Sequence, residues 1–213
     1  MKSGGWIWPT GRWLGVDLAE KTLGLIGTGR IGRSMARMAG AGFRAHVLGY
    51  DPNVSTTTMK AHGIEKEHDL KIMLGKCDFV SIHAVLNEDT RHLIGREELA
   101  SMKSTAGLIN VSRGAIVDEE ALLDALKSGQ IASAGLDVYS QEPLSMAGHP
   151  LSELYAMHNV ILFPHLTFYT REAMHRLEQE SLERCFEILE GRPVLVKSTD
   201  PRLLEQKHGV RFA

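Results

Sequence analysis

The sequence contains only two cysteines among 213 residues, Cys77 and Cys185, and they do not form a CxxC pair. This excludes a disulfide framework and a zinc site of the usual spacing, and it favours a reducing compartment, so we expect a cytoplasmic protein. No apolar run is long enough to span a membrane. The first 20 residues mix Gly, Trp, Arg and Asp, which is not the pattern of a signal peptide.

An excess of charge of either sign is also absent. The formal net charge is −2 at pH 7, so no basic field points to nucleic acid or to an anionic membrane. The 43% hydrophobic and 23% charged residues are ordinary for a globular domain, and the length suits one large domain or one and a fraction. The histidines lack metal-ligand spacing, so we expect no metal, and we interpret most of them as surface or capping residues.

Glycine, by contrast, is abundant, and its most informative cluster runs from Gly27 to Gly32 as GTGRIG. The cluster follows an apolar run and opens a helical pattern, and Asp51 closes the next apolar run 19 positions after Gly32. This spacing predicts a dinucleotide-binding βαβ unit. Gly27 would allow the tight turn, Gly29 the approach of a pyrophosphate to the helix N-terminus, and Gly32 close packing of helix on strand.

Asp51 would accept hydrogen bonds from the adenosine ribose, and its charge would repel a 2′-phosphate, which favours NAD over NADP. The alternative is a purely structural glycine-rich turn. The strand before the glycines, the helix after them and the acid in register favour the dinucleotide.

Short apolar runs alternate with amphipathic stretches, which predicts an α/β fold, a Rossmann-type doubly wound parallel sheet. The predicted strands are Leu23–Ile26, His46–Tyr50, Phe79–His83, Gly107–Val111, Ala134–Val138 and Val160–Phe163. The predicted helices are Arg30–Ala41, Ser55–His62, His68–Leu74, Glu97–Met102, Glu119–Ser128 and Arg171–Glu190. Asp118 and Gly129 are the expected N-cap and C-cap residues of the fifth helix. The last helix has one apolar stripe at helical spacing, which predicts a face turned toward a core. Ligands of such sheets bind beyond the carboxyl ends of the strands.

Four polar residues lie at or just after the ends of predicted strands and would converge on that edge: Arg113, Asp137, Glu142 and His165. A cation, a carboxylate and an imidazole there suit ketone chemistry. Taken singly, Arg113 could pair with a surface carboxylate, Glu142 could lie in a solvated turn, and His165 could be a strand-end histidine. Their occurrence as one ordered set favours an active site.

In combination, these motifs resemble the coenzyme domain of the D-isomer-specific 2-hydroxyacid dehydrogenases, over about Trp6 to Gly191. The matching stretches are Leu23–Ala36, Gly49–Pro52, Ser81–His83, Thr90–Gly95, Ile109–Asp118, Ala134–Val138, Glu142–Pro143 and Pro164–His165. The stretch from His165 to Thr170 is similar to the D-lactate dehydrogenase branch. Gly49–Pro52 resembles phosphoglycerate dehydrogenase relatives instead, so the substrate stays open.

The resemblance implies an NAD-dependent oxidoreductase that interconverts a small D-2-hydroxy acid and its 2-oxo acid. Arg113 would grip the substrate carboxylate and His165 would donate the proton. Glu142 would favour the charged imidazole and fix its tautomer. The residues implied to contact the cofactor are Gly27, Gly29, Arg30, Ile31, Gly32, Asp51, His83, Thr90, Val111, Arg113, Asp137 and His165.

The same resemblance divides the chain into an N-terminal arm (1–20), an NAD-binding domain (21–168) and a C-terminal helix with a loop-like tail (169–213), a remnant of the substrate domain. Trp6, Trp8 and Trp13 in the arm are expected to be buried at a homodimer contact. The first half of the substrate domain precedes Gly4 in the family and is absent from this sequence. We therefore expect firm NAD binding with weak or absent turnover by this chain alone.

Two alternatives stay open at the level of sequence. A non-catalytic, NAD-sensing dimerisation module of corepressor type would use the same domain. An S-adenosylmethionine-dependent methyltransferase would share the glycine-rich loop and the acid, but it would not explain the Arg, Glu and His set.

Overall fold

The computed structural model describes residues 15–197 and 208–212. It divides into two compact units, one ending at His165 and the other beginning at Leu166. The three tryptophans of the predicted arm lie outside the described residues. None of the helices in the described ranges is long and apolar enough to cross a membrane.

The first unit contains a seven-stranded sheet in which every pair of neighbours is parallel, with the order β3-β2-β1-β4-β5-β6-β7. The strands are β1 (Thr22–Ile26), β2 (His46–Tyr50), β3 (Glu65–Lys66), β4 (Phe79–Ile82), β5 (Gly107–Asn110), β6 (Ser133–Leu136) and β7 (Val160–Leu162). The direction of strand addition reverses between β1 and β4, as in Rossmann sheets. The predicted fold class is confirmed.

Among residues 15–165, five α-helices accompany the sheet: α1 (Arg30–Arg37), α2 (Thr56–Ala61), α3 (Leu70–Lys76), α4 (Arg96–Ser101) and α5 (Glu119–Ser128). Side chains that accept an N–H of the first turn begin three of them, namely Ser55, Asp69 and Asp118. The predicted helix over 30–41 instead changes at Met38 into a π-helical turn, Met38–Gly42. The left-handed Gly129 ends α5, as its position predicted.

The apolar core lies on both faces of the sheet, which explains why the strands read as nearly continuous apolar runs. One cluster packs β4, β5 and β6 against α3, α4 and α5, and includes Leu74, Val80, Leu99, Leu108 and Leu122. A second cluster packs the other side of β1 and β2, and includes Leu23, Leu25, Ala36, Val47 and Met59.

Strand ends differ from prediction by one or two residues. His83, Val111, Val138 and Phe163 were predicted inside strands but follow them, because the chain leaves the sheet at these points to form the loops of one edge. Strand β3 was missed because it has only two residues, Glu65 and Lys66, and neither is apolar.

The second unit contains α6 (Arg171–Leu189) and a small parallel sheet of β8 (Val194–Val196) and β9 (Val210–Phe212). The sequence predicted a loop-like segment in this tail, and it predicted neither of these two strands. The apolar stripe of α6 was expected to face a core, but its side chains are exposed in the structure: Leu177 by 54%, Leu182 by 59%, Phe186 by 56% and Leu189 by 81%.

Buried Glu187 holds the second unit together. Its carboxylate accepts hydrogen bonds from the Leu195 N–H at 3.0 Å, from Arg184 Nε at 2.7 Å and from Arg211 Nη2 at 2.8 Å. The N–H of Leu195 and the two guanidinium groups, against the opposing effect of burial, lower the pKa of Glu187 to about 2. One charged residue thus ties both short strands to α6.

Candidate active site

Every strand of the parallel sheet ends on the same edge, and the predicted site residues follow those ends. Gly27 to Gly32 follow β1, Asp51 follows β2, His83 follows β4, Arg113 follows β5, Asp137 and Glu142 follow β6, and His165 follows β7. The topology therefore gathers residues from six distant parts of the chain.

The glycine turn between β1 and α1 is built on close backbone contacts. Gly27 has φ +87°, and a Cβ there would lie 2.6 Å from the amide nitrogen of Ala84. A Cβ on Gly32 would collide with the Gly27 carbonyl oxygen. Gly29, in contrast, has nothing within 4 Å of a Cβ position, and α1 begins after it without a side-chain cap. An open glycine before uncapped first-turn N–H groups fits the pyrophosphate of a dinucleotide.

Asp51 is fastened to this turn. Its Oδ2 accepts the N–H of buried Thr28 at 2.9 Å, and its Oδ1 accepts the N–H of Asn53 at 3.0 Å. Each carboxylate oxygen can accept more than one hydrogen bond, so the acid keeps the capacity to bind ribose hydroxyls. Sequence reasoning found the acid but not the bond from Thr28, because the two residues are 23 positions apart.

The loop after β4 contains two further predicted cofactor contacts. Nε2 of His83 lies 3.0 Å from Oγ of Ser81, and burial lowers the pKa of this histidine, which keeps its ring neutral at pH 7. The Thr90 hydroxyl donates to the Val85 carbonyl at 2.6 Å and so helps to fold its own loop. Val111 follows β5 directly and is half-buried.

Arg113 is exposed, and its Nη1 donates to the Ser112 carbonyl at 2.7 Å. It forms no ion pair with a carboxylate within residues 15–197 or 208–212. The alternative interpretation, in which Arg113 pairs with a surface carboxylate, therefore has no partner among these residues. The next residue, Gly114, is packed so closely that a Cβ would collide with the backbone of Tyr139 and Ser140. The loop of Arg113 therefore lies directly on the loop that leads to Glu142.

Glu142 and His165 form the central contact of the site. Nδ1 of His165 lies 2.9 Å from Oε2 of Glu142, and Oε1 accepts the Tyr139 N–H at 3.0 Å. Burial opposes ionisation of Glu142, but the hydrogen bonds from His165 and Tyr139 outweigh it and lower the pKa of this carboxyl. The side chain of His165 is 41% exposed and that of Glu142 is 37% exposed, so the pair adds at most about 1 kcal/mol to the stability of the fold. Its main effect is to orient the imidazole.

The segment before His165 is anchored by Tyr139, which sequence reasoning missed. The phenol donates to the Phe163 carbonyl at 3.0 Å, and burial raises its pKa to about 12, so it stays a donor. His165 itself has φ +58°, a conformation that costs a non-glycine residue about 1–3 kcal/mol. A cavity of about 530 Å³ borders the pair, lined among others by Tyr139, Leu144 and Phe163.

Asp137 is 2% exposed, and its N–H donates to the Asn110 carbonyl at 3.0 Å, between the loops of β5 and β6. His149, expected at the surface or as a cap, is instead buried: its Nε2 lies 3.0 Å from the Gln141 carbonyl and its Nδ1 accepts the Leu151 N–H. Across the described ranges, no group of His, Cys, Asp or Glu is arranged to hold a metal ion.

Comparison with known proteins agrees with this geometry. Residues 1–167 match the family model of the D-isomer specific 2-hydroxyacid dehydrogenase, NAD binding domain. The chain is 39% identical over 193 residues to glyoxylate/hydroxypyruvate reductase B of Erwinia tasmaniensis, covering 90% of this chain and 59% of that protein. It is 36% identical over 202 residues to D-3-phosphoglycerate dehydrogenase of Methanocaldococcus jannaschii, covering 95% of this chain and 37% of that protein.

Among solved structures, the D-lactate dehydrogenase of Aquifex aeolicus complexed with NAD and lactic acid superposes with a TM-score of 0.78 at 31% identity, covering 86% of this chain and 58% of that one. The D-lactate dehydrogenase of Lactobacillus jensenii with NAD⁺ gives a TM-score of 0.77 at 31% identity, covering 88% and 58%. The chain spans less than two thirds of the length of these relatives. By fold, site and sequence, it belongs to the D-isomer specific 2-hydroxyacid dehydrogenase family and contains that family's NAD-binding domain.

Proposed function

We propose that this chain is the NAD-binding and proton-transferring part of a dehydrogenase that interconverts a small D-2-hydroxy acid and its 2-oxo acid. One observation carries the proposal: the 2.9 Å contact of His165 with Glu142 at the sheet edge that also bears the open glycine turn. An oriented acid–base pair beside a dinucleotide site is what reversible ketone reduction requires.

The residues proposed to hold NAD are those expected from the sequence: Gly27, Gly29, Arg30, Ile31, Gly32, Asp51, His83, Thr90, Val111, Arg113, Asp137 and His165. The bound cofactor would supply a hydride for reduction as NADH and would accept one in the reverse direction as NAD⁺. Asp51 would bind the ribose hydroxyls and repel a 2′-phosphate, so we expect a preference for NAD over NADP. The 70% exposure of Ile31 beside the glycine turn suits an apolar contact with the cofactor.

His165 would serve as the general acid in reduction and the general base in oxidation. Its Nδ1 is directed at Glu142, so the proton delivered to the carbonyl oxygen of the 2-oxo acid would come from Nε2. The charged Glu142 would stabilise the imidazolium before transfer and hold the ring in position throughout.

Arg113 would bind the substrate carboxylate. Its guanidinium is exposed and is not drawn into an ion pair by the described residues, and its fork of donors matches a carboxylate. A cation next to the reacting carbonyl would also stabilise the negative charge that develops on its oxygen.

The test first measures NADH binding by fluorescence. It then measures NADH oxidation in a single turnover, with the chain in excess over NADH. Pyruvate, glyoxylate and hydroxypyruvate are the 2-oxo acids to use. We expect NADH to bind more tightly than NADPH, and Asp51→Ala to narrow that difference. His165→Ala should lower the rate by about 10²-fold or more, a loss much larger than any accompanying loss of affinity for NADH.

The alternatives give different results. An NAD-sensing module would show NADH-dependent association and no oxidation in the wild type. A methyltransferase would bind S-adenosylmethionine rather than NADH in calorimetry. The named relatives are reductases and dehydrogenases, which favours the enzyme.

We further propose that residues 1–20 form a homodimer contact and that the protein works in the cytoplasm. In this proposal residues 21–168 form the cofactor domain, and residues 169–213 belong to a substrate domain. Light scattering after gel filtration should give twice the chain mass of 23.5 kDa. A mass of one chain would contradict the dimer.

A further inference from the structure

We propose that Asn110 is a positioning residue that clamps the loop carrying Arg113. Asn110 is the last residue of β5 and is 1% exposed. A buried amide must satisfy its hydrogen bonds inside the protein, and both the oxygen and the nitrogen of this one bond to the loop that follows it. Its Oδ1 accepts the Ser112 N–H at 3.1 Å, and its Nδ2 donates to the Arg113 carbonyl at 3.0 Å.

The amide is itself held by the sheet. In the strand register, Asn110 lies between Ile82 of β4 and Leu136 of β6. Its main-chain carbonyl also accepts the N–H of Asp137 at 3.0 Å. The side chain therefore starts from a fixed strand end, and it can transmit that position to the loop.

A second tie comes from Ser112, whose hydroxyl donates to the Ala84 carbonyl. Ala84 is the residue whose backbone presses on Gly27 of the glycine turn. Ser112 thus links the loop of Arg113 to the segment that packs on the glycine turn, and Asn110 links the same loop to the centre of the sheet.

The Arg113 side chain has no comparable support of its own. Its described hydrogen bond is to the Ser112 carbonyl, within the same loop. The direction of its guanidinium therefore depends on the backbone of residues 112–113, which is what Asn110 holds. This inference rests on the proposed function, because Arg113 needs a fixed direction only if it receives a substrate carboxylate.

The experiment compares the wild-type chain with Asn110→Ala and Asn110→Asp. Oxamate, a carboxylate analogue of a 2-oxo acid, is titrated into the complex with saturating NADH, and hydrogen exchange of the Ser112 amide is measured in parallel. The control is Asn159→Ala. It also removes a hydrogen bond from a side-chain amide to a main-chain carbonyl, that of Ala132 at 2.9 Å, but at the opposite edge of the sheet.

We expect Asn110→Ala to weaken the binding of oxamate about tenfold and to speed hydrogen exchange of the Ser112 amide. The affinity for NADH should stay within about twofold of the wild type. Asn110→Asp keeps the acceptor for Ser112 but sets an oxygen against the Arg113 carbonyl. It should therefore weaken oxamate while exchange at Ser112 stays slow. Asn159→Ala should change neither.

Unchanged oxamate affinity in both Asn110 variants would overturn the proposal, and so would an equal loss of NADH and oxamate binding. If Asn110→Ala does not fold, Asn110→Asp decides, because it preserves size and one of the two bonds. Absence of oxamate binding by the wild type with NADH would instead refute the proposed function. Exchange at Ser112 would still test the clamp in that case.

Discussion

Oε1 of Glu142 accepts the Tyr139 N–H, and Oε2 of the same carboxylate lies 2.9 Å from Nδ1 of His165. The backbone of one loop thereby fixes the side chain that fixes the imidazole. A carboxylate used on both oxygens has little rotational freedom, so the ring it orients is held before any substrate arrives. This preorganisation underlies the first prediction.

Glu142→Gln should lower the single-turnover rate on the order of 10²-fold at pH 7, because the amide cannot stabilise the imidazolium. The lowered pKa of Glu142 means that the carboxylate stays charged to a pH below its ordinary range, and its contribution is lost only as pH falls through that lowered value. Stopped-flow NADH oxidation across pH measures this. Glu153→Gln, which breaks the exposed pair with Lys127, should leave the rate unchanged. An unaltered rate in Glu142→Gln would contradict the assigned role.

The two glycines of the turn should fail in different ways. Gly29→Ala adds a Cβ into open space at φ −69°, so the fold should keep its stability while NADH binding weakens about tenfold or more. Gly27→Ala combines a left-handed φ with a backbone collision at Ala84, and should destabilise the fold by at least about 1–3 kcal/mol. Urea unfolding and NADH titration of both variants separate these effects. Equal loss of stability in the two would refute the distinction.

Attachment of β8 and β9 to α6 should depend on pH through Glu187. Its pKa in the folded chain is about 2, below the ordinary 4.5, so its stabilising effect is present above about pH 4.5 and is lost as pH falls toward 2. Glu187→Gln should reproduce that loss at neutral pH. The measurement is hydrogen exchange of the Leu195 amide, which donates to Glu187. Glu190→Gln, which removes an exposed pair with Arg192, should leave that amide protected.

The two cysteines should differ strongly in their rate of reaction with iodoacetamide. Cys77 is fully buried, and burial raises the pKa of its thiol to about 12, whereas Cys185 on α6 is exposed. Because the thiolate is the reacting form, only Cys185 should be alkylated in the native chain, and Cys77 only after unfolding in urea. Peptide mass spectrometry checks this. Rapid modification of Cys77 under native conditions would contradict the packing of β1 on α3.

Sequence alone predicted the parts of the molecule that have a local signature. Buried parallel strands read as short apolar runs, and a glycine turn followed by an acid has a fixed spacing, so the sheet and the residues at its edge could be expected. Asp118 and Gly129 marked the limits of α5 for the same reason. Each of these signals depends on residues close together in the chain.

What was missed depends on partners distant in the chain. β8 and β9 are tied to α6 by Glu187, which accepts hydrogen bonds from Leu195 and Arg211, and nothing in the local sequence indicates these contacts. Tyr139 looked like a loop residue, yet its phenol reaches Phe163, 24 positions away. The apolar stripe of α6 showed the opposite error: helical spacing predicts an apolar face, but it does not tell which surface covers that face.

The missing side chain at Gly114 has a consequence for anyone wishing to redesign this protein. The backbone of Tyr139 and Ser140 packs directly on Gly114, so a change in the loop of Arg113 must be matched by a change in the loop that leads to Glu142. Libraries that randomise one segment alone would mostly produce misfits. Transplanting both loops together from a single relative would keep the contact intact.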